Sequence, residues 1–263
     1  MNIWVVSGCS SGLGYCWTDS IIRERKGKVI GITRSEEAAR EMSEIYQDKF
    51  IPCISDVGDE KQLAEKLTAL VKEVGTPSRI VTSAGYAQFG TLEDLSNEQL
   101  RDQFKTNVEG TLNVIKPLLP AMRQLEEARI LLVSSMSGVS CWPLLGAYQM
   151  SKHAIEAIGE TLRLELGNTN IQVGIIQPGP YKTGWATLSA RREKIGEAYD
   201  EEALKQQATC GFTVEEPSES LPFFWKMFDS AEMPLRIATS ESFVKRACVQ
   251  AEENMRAWRA PFE

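Results

Sequence analysis

Three side chains able to handle a proton fall within one short stretch, residues 135–152, which reads SMSGVSCWPLLGAYQMSK. Ser135 opens it, and Tyr148 and Lys152 close it. On a helix, the i,i+4 spacing of Tyr148 and Lys152 puts both side chains on one face. A lysine ammonium beside a phenol favours the phenolate and lowers the tyrosine pKa. The result is a proton donor or acceptor usable near neutral pH. Taken alone, the same spacing describes an ordinary exposed helix turn. The surrounding chain has to supply the context.

A second set of residues precedes it. Ile3 to Ser7 is a compact β-rich segment, followed by the turn SGCSSGLG with Gly8, Gly12 and Gly14 and then a helix over 15–26. Glycines let a backbone approach a pyrophosphate, and a helix N-terminus offers free N–H groups and partial positive charge. Ser10, Ser11 and Leu13 lie between the glycines. The spacing is GxxxGxG and not GxGxxG, and a tight strand–helix turn would need similar residues. The next strand, 28–33, ends at Arg34, where an acid would grip a ribose 2′-hydroxyl. An arginine there suits a 2′-phosphate, so NADP(H) is expected over NAD(H). The plain alternative is a surface arginine opening the helix over 36–47.

Positioning these residues requires a particular scaffold. Strands are expected over 3–7, 28–33, 50–55, 79–82, 130–133, 171–177 and 234–239, with helices over 60–74, 97–124, 148–166 and 241–258. The third strand ends in Asp56 and Val57, and the fourth runs into Ser83, Ala84 and Gly85. Helix 97–124 is expected to be interrupted or kinked around Pro117 and Pro120, and Asn107 is a polar residue among Phe104, Val108 and Leu112. If buried, that amide must find partners. Strands alternating with helices indicate an α/β fold: a doubly wound, Rossmann-like parallel sheet of about seven strands, helices on both faces, in one domain over 1–263. From Tyr181 the pattern loosens, with helical pieces around 190–207 and an aromatic run Phe223, Phe224, Trp225 and Phe228. Residues 181–235 are expected to form a lid over the site.

Composition narrows the function. At 263 residues with a net charge of −7, the chain lacks an electrostatic footprint for nucleic acid. Its six cysteines show no CxxC pair and no zinc spacing, which indicates reduced thiols and no metal centre. His153 is the only histidine, so histidine-based triads lack material. No signal peptide or membrane span is apparent, and a cytoplasmic protein is expected.

Together these residues resemble the short-chain dehydrogenase/reductase family over about Ile3 to Thr183. Residues 7–14 look like its TGxxxGxG cofactor turn with serine for threonine, and Asp56 resembles the acid at the adenine edge. Residues 82–85 resemble its NNAG segment, with Thr82 and Ser83 in place of the asparagines. Asn107, Ser135, Tyr148 and Lys152 correspond to its catalytic set, and Pro178, Gly179 and Thr183 to the segment closing over the nicotinamide. The resemblance implies an NADP(H)-dependent oxidoreductase interconverting a carbonyl and an alcohol. Tyr148 would supply the proton, Ser135 would bond the substrate oxygen, Lys152 would lower the Tyr148 pKa and bridge the ribose, and Asn107 would hold a relay water. Alternatives on the same scaffold are a non-redox dehydratase, isomerase or cyclase, or a cofactor-sensing binding protein. Ligands in such folds sit beyond the carboxyl ends of the strands, which here means 86–89, 137–145 and 180–228. Phe89, Cys141, Trp142, Tyr181 and Trp185 are the candidate substrate wall, suited to a sizeable apolar carbonyl or alcohol. The family also implies a homodimer or homotetramer, through the helices over 97–115 and 148–166.

Overall fold

The computed structural model describes residues 2–187, 189–209 and 213–262. Cys210 and parts of the expected lid lie outside the described residues. Seven parallel strands form one sheet in the order β3-β2-β1-β4-β6-β7-β9. They are β1 Ile3–Ser7, β2 Lys28–Thr33, β3 Phe50–Ile54, β4 Arg79–Thr82, β6 Ala128–Val133, β7 Ile171–Gln177 and β9 Arg236–Ala238. β1 pairs with β2 on one side and β4 on the other, so the winding direction reverses between them. That reversal leaves a crevice beyond the carboxyl ends, where such sheets bind ligands.

The strands read as apolar runs because both faces are covered. The two-residue pleat sends Val5, Ile80, Ile130 and Leu132 into one core, with Leu63, Leu67, Val114 and Ile155. It sends Trp4, Val6, Val81 and Leu131 into the other, with Trp17, Ile21, Met42 and Phe224. The helices up to β7 are α1 Gly12–Arg23, α2 Glu36–Tyr46, α3 Glu60–Val74, α4 Asn97–Phe104, α5 Gly110–Ile115, the short α6 Leu119–Met122 and α7 Gly146–Glu165. Later come α8 Glu201–Thr209, α9 Leu221–Asp229 and α10 Glu241–Arg259.

The helix over 97–124 is interrupted near Pro117, as expected, and three features differ. Within it, α4 passes through a π-helical turn, Lys105–Glu109, into α5, and the chain then breaks before α6. Pro117, with no N–H to donate, falls in that break. Near residue 190 the chain is not helical. Arg191–Arg192 (β8) runs parallel to Gln88–Phe89 (β5) as a separate two-stranded sheet. The aromatic run at 223–228 is α9, and it belongs to the core. Phe224 stacks on Trp17 with centroids 4.9 Å apart, and Phe228 meets Trp4 at 4.6 Å. Phe224 and Trp225 belong to the stretch 180–228 expected beyond the strand ends, but neither lines the cavity. Instead, helical spacing turns the apolar face of α9 against α1 and β1.

Among the described residues no helix is long and apolar enough to cross a membrane, and no cluster of His, Cys, Asp or Glu could hold a metal. Cys9, Cys16, Cys53, Cys141 and Cys248 are free thiols.

Candidate active site

The turn between β1 and α1 is built so that atoms cannot be added. Gly8 and Gly12 hold positive φ angles of 67° and 54°, which favour glycine. A Cβ on Gly8 would lie 2.8 Å from the Ala84 Cα, and one on Gly14 would lie 2.2 Å from the Gly8 carbonyl oxygen. The N-cap of α1, Ser11, makes no side-chain cap bond, and no acid occupies the first turn. The first N–H groups of α1 therefore remain open to an anion. A glycine cradle at a bare helix N-terminus fits the pyrophosphate of a dinucleotide. Ser10 Oγ lies 2.9 Å from Thr33 Oγ1, tying the turn to the end of β2. Where the family carries asparagines, Ser83 Oγ donates to the Ser7 carbonyl, and the Ala84 N–H donates to Ser7 Oγ at 3.2 Å. The substitution keeps β4 fastened to β1 through shorter side chains.

Across the crevice, β6 delivers Ser135 and the first turns of α7 deliver Tyr148 and Lys152. All three are buried, and all line one cavity of about 510 Å³. Gly8, Ser11, Gly12, Leu13 and Gly14 line the same cavity, as do Ala84, Gly85, Pro178, Gly179 and Thr183. Thr183 faces the glycine turn: a Cβ on Gly12 would sit 3.3 Å from its side chain.

The electrostatics differ from the sequence expectation. Burial pushes the Tyr148 phenol up to about 12, with a hydrogen bond to Ser135 opposing it. Burial brings the Lys152 ammonium down to about 8, against the pull of the Glu156 carboxylate. Lys152 Nζ donates to the Val133 carbonyl at 2.7 Å and lies 5.6 Å from the centroid of the Tyr148 ring. Desolvation therefore outweighs the ammonium in setting the phenol.

Glu156 was absent from the sequence reading. It lies one turn beyond Lys152 on α7, buried, accepting from Gln177 Nε2 at 2.9 Å and Arg236 Nε at 2.8 Å. Its signal was present as an acid at i+4 from Lys152, on the side that holds buried Ile155 and Gly159.

Asn107 sits in the π-helical turn and does not line the cavity. Its Oδ1 accepts from the Tyr86 N–H at 3.1 Å, and its Nδ2 donates to the Tyr86 carbonyl and to Ser151 Oγ. The bulge turns this amide inward, where it braces the segment after β4 against α7. Arg34 and Asp56 stand at the ends of β2 and β3, outside the cavity wall, as an exposed ion pair at 3.5 Å. Val57 is buried, its carbonyl accepting from Asn113 Nδ2 at 2.9 Å.

At the far end the wall is side chain. Phe89, Trp142, Tyr181 and Trp185 line it, joined by Met136 and Leu145, which the sequence did not single out. Neither carries a polar or periodic signal, and only the tertiary fold brings them here. Trp185 packs on the Tyr148 ring at 4.8 Å and edge-on to Phe89 at 6.0 Å. Cys141 is exposed and lies outside this wall, its neighbour Trp142 turning inward in its stead.

The family model for short chain dehydrogenases matches residues 2–194. An uncharacterized oxidoreductase of Bacillus subtilis is 37% identical over 192 residues, covering 71% of this chain and 68% of that protein. An NADPH-dependent 3-dehydrocapnine reductase of Ornithobacterium rhinotracheale is 34% identical over 190 residues, covering 70% and 66%. The solved structure of a short-chain dehydrogenase from Streptomyces avermitilis superposes with a TM-score of 0.89 at 26% identity, covering 100% of this chain and 97% of that one. The chain belongs to the short chain dehydrogenase family, a family of NAD(P)-binding oxidoreductases.

Proposed function

We propose that the protein is an NADP(H)-dependent reductase of a sizeable apolar carbonyl, or in reverse a dehydrogenase of the matching alcohol. The observation that carries this reading is that one cavity joins the glycine turn to Ser135, Tyr148 and Lys152 and then continues into an aromatic wall.

Gly8 to Gly14 and the N-terminus of α1 would hold the pyrophosphate, with Thr183 closing over them. A bound nicotinamide dinucleotide supplies a hydride to the substrate carbon. Ser135 Oγ and Tyr148 Oη hold the carbonyl oxygen, and Ser135 stabilises the charge that develops there. Tyr148, kept protonated by burial, gives its proton to the forming alkoxide, a stronger base than the phenolate left behind. Lys152, still cationic at neutral pH, steadies that phenolate from below the ring. Phe89, Trp142 and Trp185 exclude water and fit an apolar body.

Preference for NADP(H) is supported by Arg34. Its partner Asp56 is a surface ion pair of little strength, so the guanidinium is available to a 2′-phosphate. The NADPH dependence named for the Ornithobacterium relative points the same way. An absorbance assay of NADPH and NADH with aliphatic, aromatic and polycyclic ketones tests the reading. Oxidation of NADPH with a bulky ketone, lost in Tyr148→Phe, is expected, and Arg34→Ala should narrow the gap between NADPH and NADH. No stoichiometric oxidation with any carbonyl would overturn it.

A further inference from the structure

The last helix, α10, has no body to rest on. Phe243 is its one buried residue, packed with Trp142 and Met136, and Ala247 adds to that contact. From Cys248 to Phe262 every residue is exposed. That leaves the helical stretch from Cys248 to Arg259 unsupported, and a piece that short is marginal in water unless an amphipathic face is covered. Such a face exists. Val244, Cys248, Ala251, Met255 and Trp258 follow one another at alternating steps of four and three, and Phe262 continues the series just past the helix end. That alternation is the seam of a helix made to pack on another helix. Trp258 is 69% exposed and Phe262 91% in the single chain.

We propose that this stripe pairs with the stripe of a second copy of the chain, the two α10 helices antiparallel about a two-fold axis near Met255. Charge complementarity selects the partner and the register. Lys245, Glu252 and Arg259 recur every seven residues along one flank of the stripe, with alternating sign. With the axis near Met255, Glu252 of each copy faces Arg259 of the other, as a two-fold interface requires. The same register sets Met255 of each copy against Trp258 of the other, a favourable sulfur–aromatic contact. Sliding to full overlap would oppose Glu252 to Glu252, which like charges disfavour. A lipid surface fits less well. α10 carries four basic and three acidic side chains, and the whole chain is at −7, whereas surface-binding helices are strongly basic. This interface is separate from any formed through α4, α5 and α7, and it does not depend on the reaction assigned above. Its root touches the cavity, since Arg246 lies 5.1 Å from the Trp142 ring centroid.

Light scattering on the full-length protein tests the pairing through its mass. Trp258→Glu, Glu252→Arg and Arg259→Glu should each halve the wild-type mass at micromolar concentration, with far-ultraviolet circular dichroism changed by no more than the freed end of α10. The double exchange Glu252→Arg with Arg259→Glu should restore it. A monomeric wild type, or three single variants with the wild-type mass, overturns the proposal. So does a double exchange that fails to reassociate, or wild-type protein that sediments with anionic phosphatidylserine vesicles while its mass is insensitive to all three substitutions.

Discussion

At one end of the cavity the wall is backbone. Gly8 and Gly14 bring main chain so close to Ala84 and to each other that a methyl group has no room, and Gly12, at positive φ, lies under the Thr183 side chain. At the other end the wall is side chain, Phe89, Trp142, Tyr181 and Trp185 carried on loops and on the small β5–β8 sheet. Ser135, Tyr148 and Lys152 stand between the two. The difference teaches where the molecule tolerates change. A backbone wall fixes one ligand shape and admits no added atom. An aromatic wall on loops keeps its apolar character while its outline varies.

The largest effect should come from the junction. Tyr148→Phe removes the hydroxyl proposed to protonate the substrate oxygen and leaves both walls in place. Turnover with a bulky ketone is expected to fall roughly 10²- to 10⁴-fold, the range for a lost general acid, while NADPH binding by fluorescence titration stays within about twofold, a shift well under the tenfold that 1.4 kcal/mol would produce. A variant that keeps wild-type turnover would separate the junction from the chemistry.

Gly14→Ala tests the backbone wall. In an ordinary helix such a change stabilises by about 0.4–1 kcal/mol through the unfolded chain. Here the methyl would stand 2.2 Å from the Gly8 carbonyl oxygen, so overpacking of about 1–3 kcal/mol reverses the sign. Thermal denaturation should show a lower midpoint, with NADPH affinity reduced at least tenfold. A raised midpoint would mean the turn has slack.

Trp185→Ala tests the other wall. Trp185 is half-buried and touches Phe89 and Tyr148 only through ring faces and edges. KM for a polycyclic ketone should rise about tenfold, equivalent to about 1.4 kcal/mol, with KM for a small aliphatic ketone little changed. Equal losses for both ketones would indicate that Trp185 orients Tyr148 and does not read substrate size.

The two walls were also unequally legible in the sequence. A backbone wall leaves a trace in residue type, because few residues but glycine accept the φ angles at Gly8 and Gly12. The first four strands follow the expected bounds to within one residue for a similar reason, each a short apolar run that ends in polar or turn-forming residues. The aromatic wall leaves no such trace. Phe224 and Trp185 are both aromatic residues in the loosely patterned stretch after Tyr181, yet one fills the core under α1 and the other covers Tyr148. The choice is made by which element a helix packs against, a tertiary contact with no local signature. Asn107 was visible as a misplaced polar residue, but its π-helical turn was not, since that turn exists to satisfy Tyr86 and Ser151 at a distance. The depression of Lys152 follows from burial, which spacing alone does not report.

The smallest expected effect belongs to Glu156, and it bears on how the junction is tuned. Lys152 has two influences on its charge: burial, which removes it, and the Glu156 carboxylate, which holds it. Glu156 is itself fixed by Gln177 on β7 and by Arg236 on β9, with Arg236 also reaching Glu160. Tyr148 is neutral through this range, since its phenol titrates near 12. The kcat/KM for reduction, which reports the free enzyme, should therefore decline as pH rises through about 8, where Lys152 loses its proton. Glu156→Gln keeps the shape and an acceptor for Gln177 but removes the charge, so the limb should move to lower pH, by up to about one unit or 1.36 kcal/mol. Stability gives the same sign independently. The folded lysine titrates near 8 and the unfolded one near 10.5, so the unfolded chain binds more protons between these values. This group therefore makes the protein more stable as pH rises across that window. In Glu156→Gln the window should open at lower pH, read as a denaturation midpoint that begins to climb earlier. A limb and a midpoint profile that both stay in place would show that Gln177 and Arg236 hold Glu156 only to join α7 to the sheet.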